Sequence, residues 1–280
     1  MLSPEAVGQV RALAARAEAA DGERPLNEDA LLALGADDAT VDHQLRHDGD
    51  ELIGYAQHNR RHGSGQLLVH PAHRRRGVGT ELLRSLDGAP VWAFGDLEPA
   101  HHFAAANHLI EQRRLLIMQR RLDPPTELND PDIRPFDVTT DADQLLELNA
   151  LAFDRHPEQR HFNRADLTAR MAESWYDPDG FLVATDAAGL VGFHWTKRHP
   201  DGHGEVYILA THPRAQGTGL GRRLLAAGLN HLAARGASTV QLYVEAGNAR
   251  AVELYDRAGF AVVHSDVLHG PPAQTSQESQ

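Results

Sequence analysis

The sequence predicts an α+β chain of two tandem domains, each built on a mixed sheet. Three observations carry this prediction. A short pattern occurs twice, as VHPAHRRRGVG (Val69 to Gly79) and THPRAQGTGLG (Thr211 to Gly221). In both places it follows an apolar extended run and leads into an amphipathic helical pattern, so the chain carries an internal duplication. His70 and His212 lie 142 residues apart, close to the roughly 150 residues expected per domain. Strands come in consecutive runs with helices inserted late, which points to a mixed sheet and not to a strict βαβ repeat.

Each element has a local reason. MLSPEAVGQVRALAARAEAADG is an alanine-rich amphipathic helix. Thr40 to His47 and Glu51 to Asn59 alternate as strands around the turn at Asp48-Gly49-Asp50. GQLLV is a strand that enters the first glycine turn, and Thr80 to Leu86 is the helix leaving it. PVWAF reads as a buried strand, Pro99 to Leu109 as a helix and RRLLIMQRRL as the closing strand. Asp123 to Asp132, DPPTELNDPD, is rich in proline and turn formers and reads as a linker. A second round follows. Helices are expected near Asp141 to Phe153 and Asn163 to Trp175, then strands FLVAT, GLVGFHWTK and EVYILAT. After the second turn come a helix over Arg222 to Leu232, the strand TVQLYVE, a helix over Asn248 to Ala258 and a strand over Phe260 to Val267. The expected division is a domain over 1–122, a linker over 123–132, a domain over 133–270 and a disordered tail over 271–280, which lacks apolar residues.

Composition narrows the function. A net charge of −12 argues against non-specific nucleic-acid binding, which needs a basic face. No run of about 18 apolar residues exists for a membrane span. The first residues lack the apolar core of a signal peptide. With no cysteine there is no disulfide frame, thiolate metal site or cysteine nucleophile. The expectation is a cytoplasmic monomer without a metal. Among the 18 histidines, HPDGH (His199 to His203) invites a metal reading, but it lacks further ligand spacing and reads as a solvated loop.

The duplicated turn has a chemistry of its own. A strand, a glycine-rich turn and a helix start together make an anion site, because backbone N–H groups point outward and the helix dipole adds about half a positive charge. A diphosphate fits there. Neither copy carries the Gly-Lys-Ser/Thr of a triphosphate-binding loop.

At these residues the chain resembles the GCN5-related N-acetyltransferase family. The resemblance rests on Val/Thr-His-Pro, Arg/Gln-x-x-Gly-x-Gly and a helix, followed in the second half by LYVEAGNARAVELYDRAGF (Leu242 to Phe260). It implies tandem domains, each a mostly antiparallel mixed sheet flanked by helices, and acetyl-CoA as cosubstrate. Implied coenzyme contacts in the second half are Leu209, Ala210, Thr211, Gln216, Gly217, Thr218, Gly219, Leu220, Gly221 and Arg222. The next helix start adds Asn248, Ala249, Arg250, Ala251, Val252 and Glu253. In the first half the matching residues are Leu67, Leu68, Val69, Arg75, Arg76, Gly77, Val78, Gly79 and Thr80. For the run Arg74-Arg75-Arg76, a solvated face competes with anion contact.

Within the family, LNED (Leu26 to Asp29), HPEQ (His156 to Gln159), WYDPDG (Trp175 to Gly180) and GFHWTK (Gly192 to Lys197) are similar to a tandem-domain branch. That branch acetylates the cysteinyl amine of cysteinyl-glucosaminyl-inositol, a small thiol precursor. An aminoglycoside, a peptide N-terminus or a non-catalytic acyl-CoA sensor are the competing readings. The family role of general base falls on Glu205 and that of acid on Tyr255. Glu205 is otherwise a strand-end glutamate and Tyr255 a core tyrosine. Substrate contacts implied by the closer resemblance are Glu28, Glu158, Lys197, Glu205 and Tyr243; for Glu158 and Lys197, solvated loop charges compete. Asn248 caps its helix in either reading. An offset of 142 puts Gly63 opposite Glu205, and an offset of 151 puts Ala104 opposite Tyr255, so the first half lacks both groups.

Overall fold

The computed structural model describes residues 1–126, 130–154 and 162–272. The chain forms two compact units, Met1–Leu115 with His264–Gln280, and Leu116–Val263.

The first unit opens with α1 (Pro4–Asp21), which Ser3 caps at Ala6 N–H and Gly22 ends in the left-handed region. A short helix, α2 (Glu28–Ala33), follows and is capped by Asn27. Its six residues are too few for a period to show in the sequence. Strands β1 (Val41–Asp48), β2 (Glu51–Asn59) and β3 (Ser64–Val69) pair antiparallel in order. Helix α3 (Val78–Arg84) leaves the first glycine turn. Strand β4 (Val91–Ala93) then lies parallel to β3, meeting it only at Gly65↔Val91. The expected PVWAF strand is shortened because Phe94–Asp96 turns into a 3₁₀ helix with Gly95 at φ 78°. Helix α4 (Glu98–Ala106) comes next. On one side of the sheet, α1, α2 and the link between them bury Val10, Leu13, Ala17, Leu26 and Ala30 against Leu52, Tyr55 and Leu68. On a separate core, Leu82 and Leu86 of α3 pack with Ala56 and Val91.

The second unit contains β6 (Ile133–Pro135), α5 (Val138–Ala152), α6 (Arg164–Met171), β7 (Phe181–Asp186), β8 (Gly189–Arg198) and β9 (Gly204–Thr211). The strands β6 to β9 pair antiparallel in order. Helix α7 (Leu220–Ala234) leads to β10 (Thr239–Glu245), which lies parallel to β9. Helix α8 (Ala249–Arg257) completes this half. Trp195 stacks on Phe181 at 4.2 Å and 9°, at the centre of the core beneath α5 and α6. Opposite, His194 is fully buried against α7 and bonds the Leu224 carbonyl at 2.9 Å; burial pushes its imidazole down to about 4, so it stays neutral.

Two strands change units along their length. β5 (Ile110–Arg121) begins in the first and ends in the second; β11 (Ala261–Gly270) does the reverse. Within the first unit, β11 pairs antiparallel with β4 through Val267↔Ala93 and Leu268↔Trp92. Asp123–Asp132 falls within the span of the second unit, since strand pairing and not the composition of a proline-rich stretch decides where compactness ends. The 273–280 part of the expected tail lies outside the described residues. No helix among those residues is long and apolar enough to cross a membrane.

Candidate active site

The site of the second unit begins where two parallel strands part. β9 and β10 pair only through Gly204↔Val240, Glu205↔Gln241 and Val206↔Leu242. The next residue, Tyr207, is the extra one in a β-bulge: Trp195 faces Ile208, whereas Thr196 faces Val206. A bulge increases local twist and interrupts pairing. From there to Thr211, β9 pairs with β8 alone, and the described pairing leaves its β10-facing edge open over Leu209, Ala210 and Thr211.

The open edge runs into the glycine turn. His212 caps the 3₁₀ turn at Arg214 N–H, and Gly217 and Gly219 follow at φ 81° and 85°. Both conformations are left-handed, which glycine adopts at no steric cost. Gly219 is the N-cap of α7 and makes no side-chain cap bond. The first N–H groups of the helix therefore point to an acceptor from outside. Asn248 caps α8 through Ala251 N–H at 3.2 Å. From the first turn of α8, the Arg250 guanidinium bonds the Gln216 side chain, bringing a positive charge to the turn. Arg222 is exposed in the first turn of α7. Glu253 pairs with Arg257 on an exposed face.

The first turn repeats this backbone with a different sequence. Gly77 is the uncapped N-cap of α3 at φ 90°, and Arg75, at the position of Gly217, is left-handed at φ 63°. A non-glycine residue there pays a steric cost, so the two turns share a conformation that only one sequence makes easy. Of the arginine run, Arg74 does not face the turn: it binds Asp21 bidentately at 2.7 Å and reaches the Val69 carbonyl. Arg75 and Arg76 are exposed.

On one face at the fork, strand register gathers the charged groups. Lys197 and Glu205 are cross-strand partners, with Gln241 next in the row. Glu205 is 7% exposed, and its Oε2 lies 2.6 Å from His199 Nε2. The Lys197 ammonium sits over the rings of Trp175 at 5.0 Å and Tyr207 at 5.6 Å. Arg170, from α6, covers Tyr207 at 5.7 Å and Phe162 at 4.9 Å, and its buried Nη1 has no hydrogen-bond partner among the described residues. Tyr243 is 48% exposed on β10, just past the last paired residue. Tyr255 is buried on α8 in the same cluster as Val206 and Leu242, the last residues before the strands part. Burial pushes its phenol well above the ordinary range, so it holds its proton at neutral pH.

The structure thus brings Glu205 and Lys197 together and sets Tyr255 and Tyr243 beside the fork. Glu28 belongs to the first unit, where it opens α2. Glu158 and the HPEQ motif lie outside the described residues. Sequence reasoning missed Arg170, whose spacing carries no motif, and His199. The HPDGH segment is not simply solvated: His199 and His203 stack at 4.2 Å, and His199 reaches back to Glu205. Among the described residues, no group of three or more His, Asp and Glu is placed to hold a metal ion.

The first half differs as its sequence suggests, with one change of register. Pairing of Asn59 with Ser64 matches that of Lys197 with Glu205, so Ser64, and not Gly63, stands opposite Glu205. The bulge at Tyr207 causes the one-residue slip. Ala104 does correspond to Tyr255, since their carbonyls accept from Leu109 N–H and Phe260 N–H in the same way.

The parallel fork and its uncapped glycine turn lie within the span of a known family: the acetyltransferase (GNAT) family matches residues 11–94 and 143–260. The chain belongs to that family and is an acyltransferase that uses acetyl-CoA. It is similar along nearly its whole length to proteins named mycothiol acetyltransferase. That of Nocardia farcinica is 44% identical, covering 96% of this chain and 95% of the relative. That of Thermobispora bispora is 43% identical over 93% and 94%. In fold, it matches a GCN5-related N-acetyltransferase from Sphaerobacter thermophilus with a TM-score of 0.71, at 24% identity, covering 96% of this chain and 93% of that one.

Tyr255→Phe removes the hydroxyl and keeps the packed ring. If the phenol is the acid that the family resemblance implies, the chemical step should fall about 10- to 100-fold, below the usual ceiling for general acid catalysis. The melting temperature should barely move, because the ring still packs edge-on against Phe260 at 5.8 Å. Single-turnover kinetics together with a thermal melt check this; an unchanged step leaves Tyr255 as a core residue.

Proposed function

We propose that this chain transfers the acetyl group of acetyl-CoA to the cysteinyl amine of cysteinyl-glucosaminyl-inositol, giving mycothiol, by direct attack in a ternary complex. The observation that carries this reading is the placement of buried Glu205 beside Lys197 at the mouth of the fork that feeds the glycine turn. Similarity to the mycothiol acetyltransferases supports the choice of acceptor.

In this reading the turn amides from Gly217 to Arg222 and the Arg250 guanidinium hold the coenzyme diphosphate. The open edge of β9 at Leu209 to Thr211 pairs with the amides of the pantetheine arm. Glu205 takes the proton of the acceptor's α-ammonium, whose reference pKa is about 7.7–8.0. The freed amine attacks the thioester carbonyl, and backbone N–H groups of β9 stabilise the oxyanion. The C–S bond then breaks, Tyr255 protonates the leaving thiolate, and the adduct nitrogen gives up its extra proton, which restores the Tyr255 phenol and leaves the neutral amide. Lys197, Tyr243, Arg170 and, from sequence, Glu28 and Glu158 supply directional partners for a hydroxyl-rich acceptor.

Transfer is assigned to the C-terminal half, residues 133–270. The N-terminal half, 1–122, has Ser64 and Ala104 where base and acid would stand, and it either holds coenzyme without turnover or only buttresses the second domain. The protein works as a cytoplasmic monomer. The test is an acetyl-transfer assay over a panel of amines. Turnover of cysteinyl-glucosaminyl-inositol far above other amines is expected; turnover confined to aminoglycosides or peptide N-termini would overturn the acceptor, and no turnover at all would favour a sensor.

A further inference from the structure

We propose that His199 is a positioning residue for the general base: its imidazole fixes one oxygen of Glu205 and so aims the other at the acceptor amine. The inference rests on the reading of Glu205 as base. It starts from a contact that the acetyl-transfer scheme leaves unused. Glu205 Oε2 and His199 Nε2 are 2.6 Å apart, on a carboxylate almost wholly removed from water. At that distance a proton must lie between the two atoms, since two bare acceptors would repel. A neutral imidazole with its proton on Nε2 satisfies this, and leaves Glu205 ionised with Oε1 for the substrate.

The imidazole is itself held. His199 and Glu205 lie on either side of the β8–β9 hairpin, where His199 N–H donates to the His203 carbonyl and Gly202 N–H donates to the His199 carbonyl, both at 2.9 Å. The His203 ring stacks on that of His199 at 16°, and Asp201 fixes His203 through a 2.6 Å contact. The five-residue segment HPDGH is therefore a brace, built so that one ring meets one carboxylate. A carboxylate on a rotatable chain loses orientational freedom this way before substrate arrives, and geometry held in advance is what general base catalysis uses.

The proton count is simple. In the resting state the bridging proton stays on His199 Nε2. When the acceptor's ammonium is deprotonated its proton moves to Glu205 Oε1, and the hydrogen bond from His199 persists to the neutral acid.

The experiment compares His199→Phe, His199→Gln and Glu205→Gln in the full chain, by kcat and by KM for each substrate. His199→Phe should lower kcat at least 10-fold with KM for acetyl-CoA unchanged. His199→Gln, which restores an N–H donor, should recover most of kcat. In the double variant with Glu205→Gln, the histidine change should have no further effect. If His199→Phe folds and keeps wild-type kcat while Glu205→Gln is inactive, the positioning role is wrong and the base stands. Full activity of Glu205→Gln removes the base and this inference with it. If His199→Phe does not fold, a folded His199→Gln whose kcat falls as far as that of Glu205→Gln is the result that overturns the proposal.

Discussion

Glu205→Gln should slow the chemical step by about 10²- to 10⁴-fold, the range expected when a positioned general base is removed. The substitution keeps the size of the side chain and an acceptor oxygen for His199, so the strand row of Lys197, Glu205 and Gln241 should persist. Coenzyme affinity should be unchanged, because the glycine turn begins beyond the far end of β9. The loss should depend on pH in a stated direction. Below about pH 7.7–8.0 the acceptor's amine arrives protonated and needs a base. Above it, the amine arrives free, so the gap between variant and parent should narrow as pH rises. Rapid-quench kinetics from pH 6 to 9, with coenzyme affinity measured in parallel, decide the matter. A variant at full rate between pH 6 and 7 puts the base elsewhere.

Blocking the second glycine turn should be as damaging, through binding. At Gly221 an added Cβ would meet nothing closer than Leu254 Cδ2 at 3.7 Å and Thr211 Cγ2 at 3.8 Å. The protein itself therefore tolerates a side chain there, whereas a diphosphate seated on the backbone, as proposed, would not. Gly221→Val should raise KM for acetyl-CoA by about 10²-fold or more, corresponding to one or two lost charge-assisted hydrogen bonds. Its thermal stability should stay near that of the parent. The matched change in the first turn, Gly79→Ala, asks the Phe103 ring edge to yield, since a Cβ would stand 3.0 Å from it. Turnover should nevertheless survive, because that half has Ser64 and Ala104 in place of the two acting groups. Unchanged KM in a folded Gly221→Val chain would remove the diphosphate from this turn. Loss of turnover in a folded Gly79→Ala chain would give the first half a direct part in catalysis.

What the sequence made legible was local. A strand, a turn and a helix in unbroken succession are written in consecutive residues, so both glycine turns and nearly every strand could be read. Asn248 showed as a cap for the same reason. What depends on a distant partner could not be read. The bulge at Tyr207 exists only relative to β8, and it moved the counterpart of Glu205 from Gly63 to Ser64. Arg75 lies in the left-handed region because the first turn copies the second, against its own preference. The motifs GFHWTK and WYDPDG proved largely architectural. Trp195 fills the core, Thr196 bonds the Gly180 carbonyl at 2.8 Å, and Asp177 ties to His231 at 2.9 Å; Lys197 and Trp175 meet at 5.0 Å on the side of Glu205. His199 looked like one of many loop histidines until the hairpin folded it onto Glu205.

The residues His264 to Gly270 complete the sheet of the first unit, although they are encoded after everything in the second. In order of synthesis, β1 to β4 leave the ribosome some 170 residues ahead of the strand that pairs with Trp92 and Ala93. Until then the outer side of β4 carries unpaired backbone groups, and the Asp266 carboxylate that accepts from Gly95 N–H does not yet exist. The sheet of the first unit therefore cannot be completed until the whole of the second unit has been synthesised.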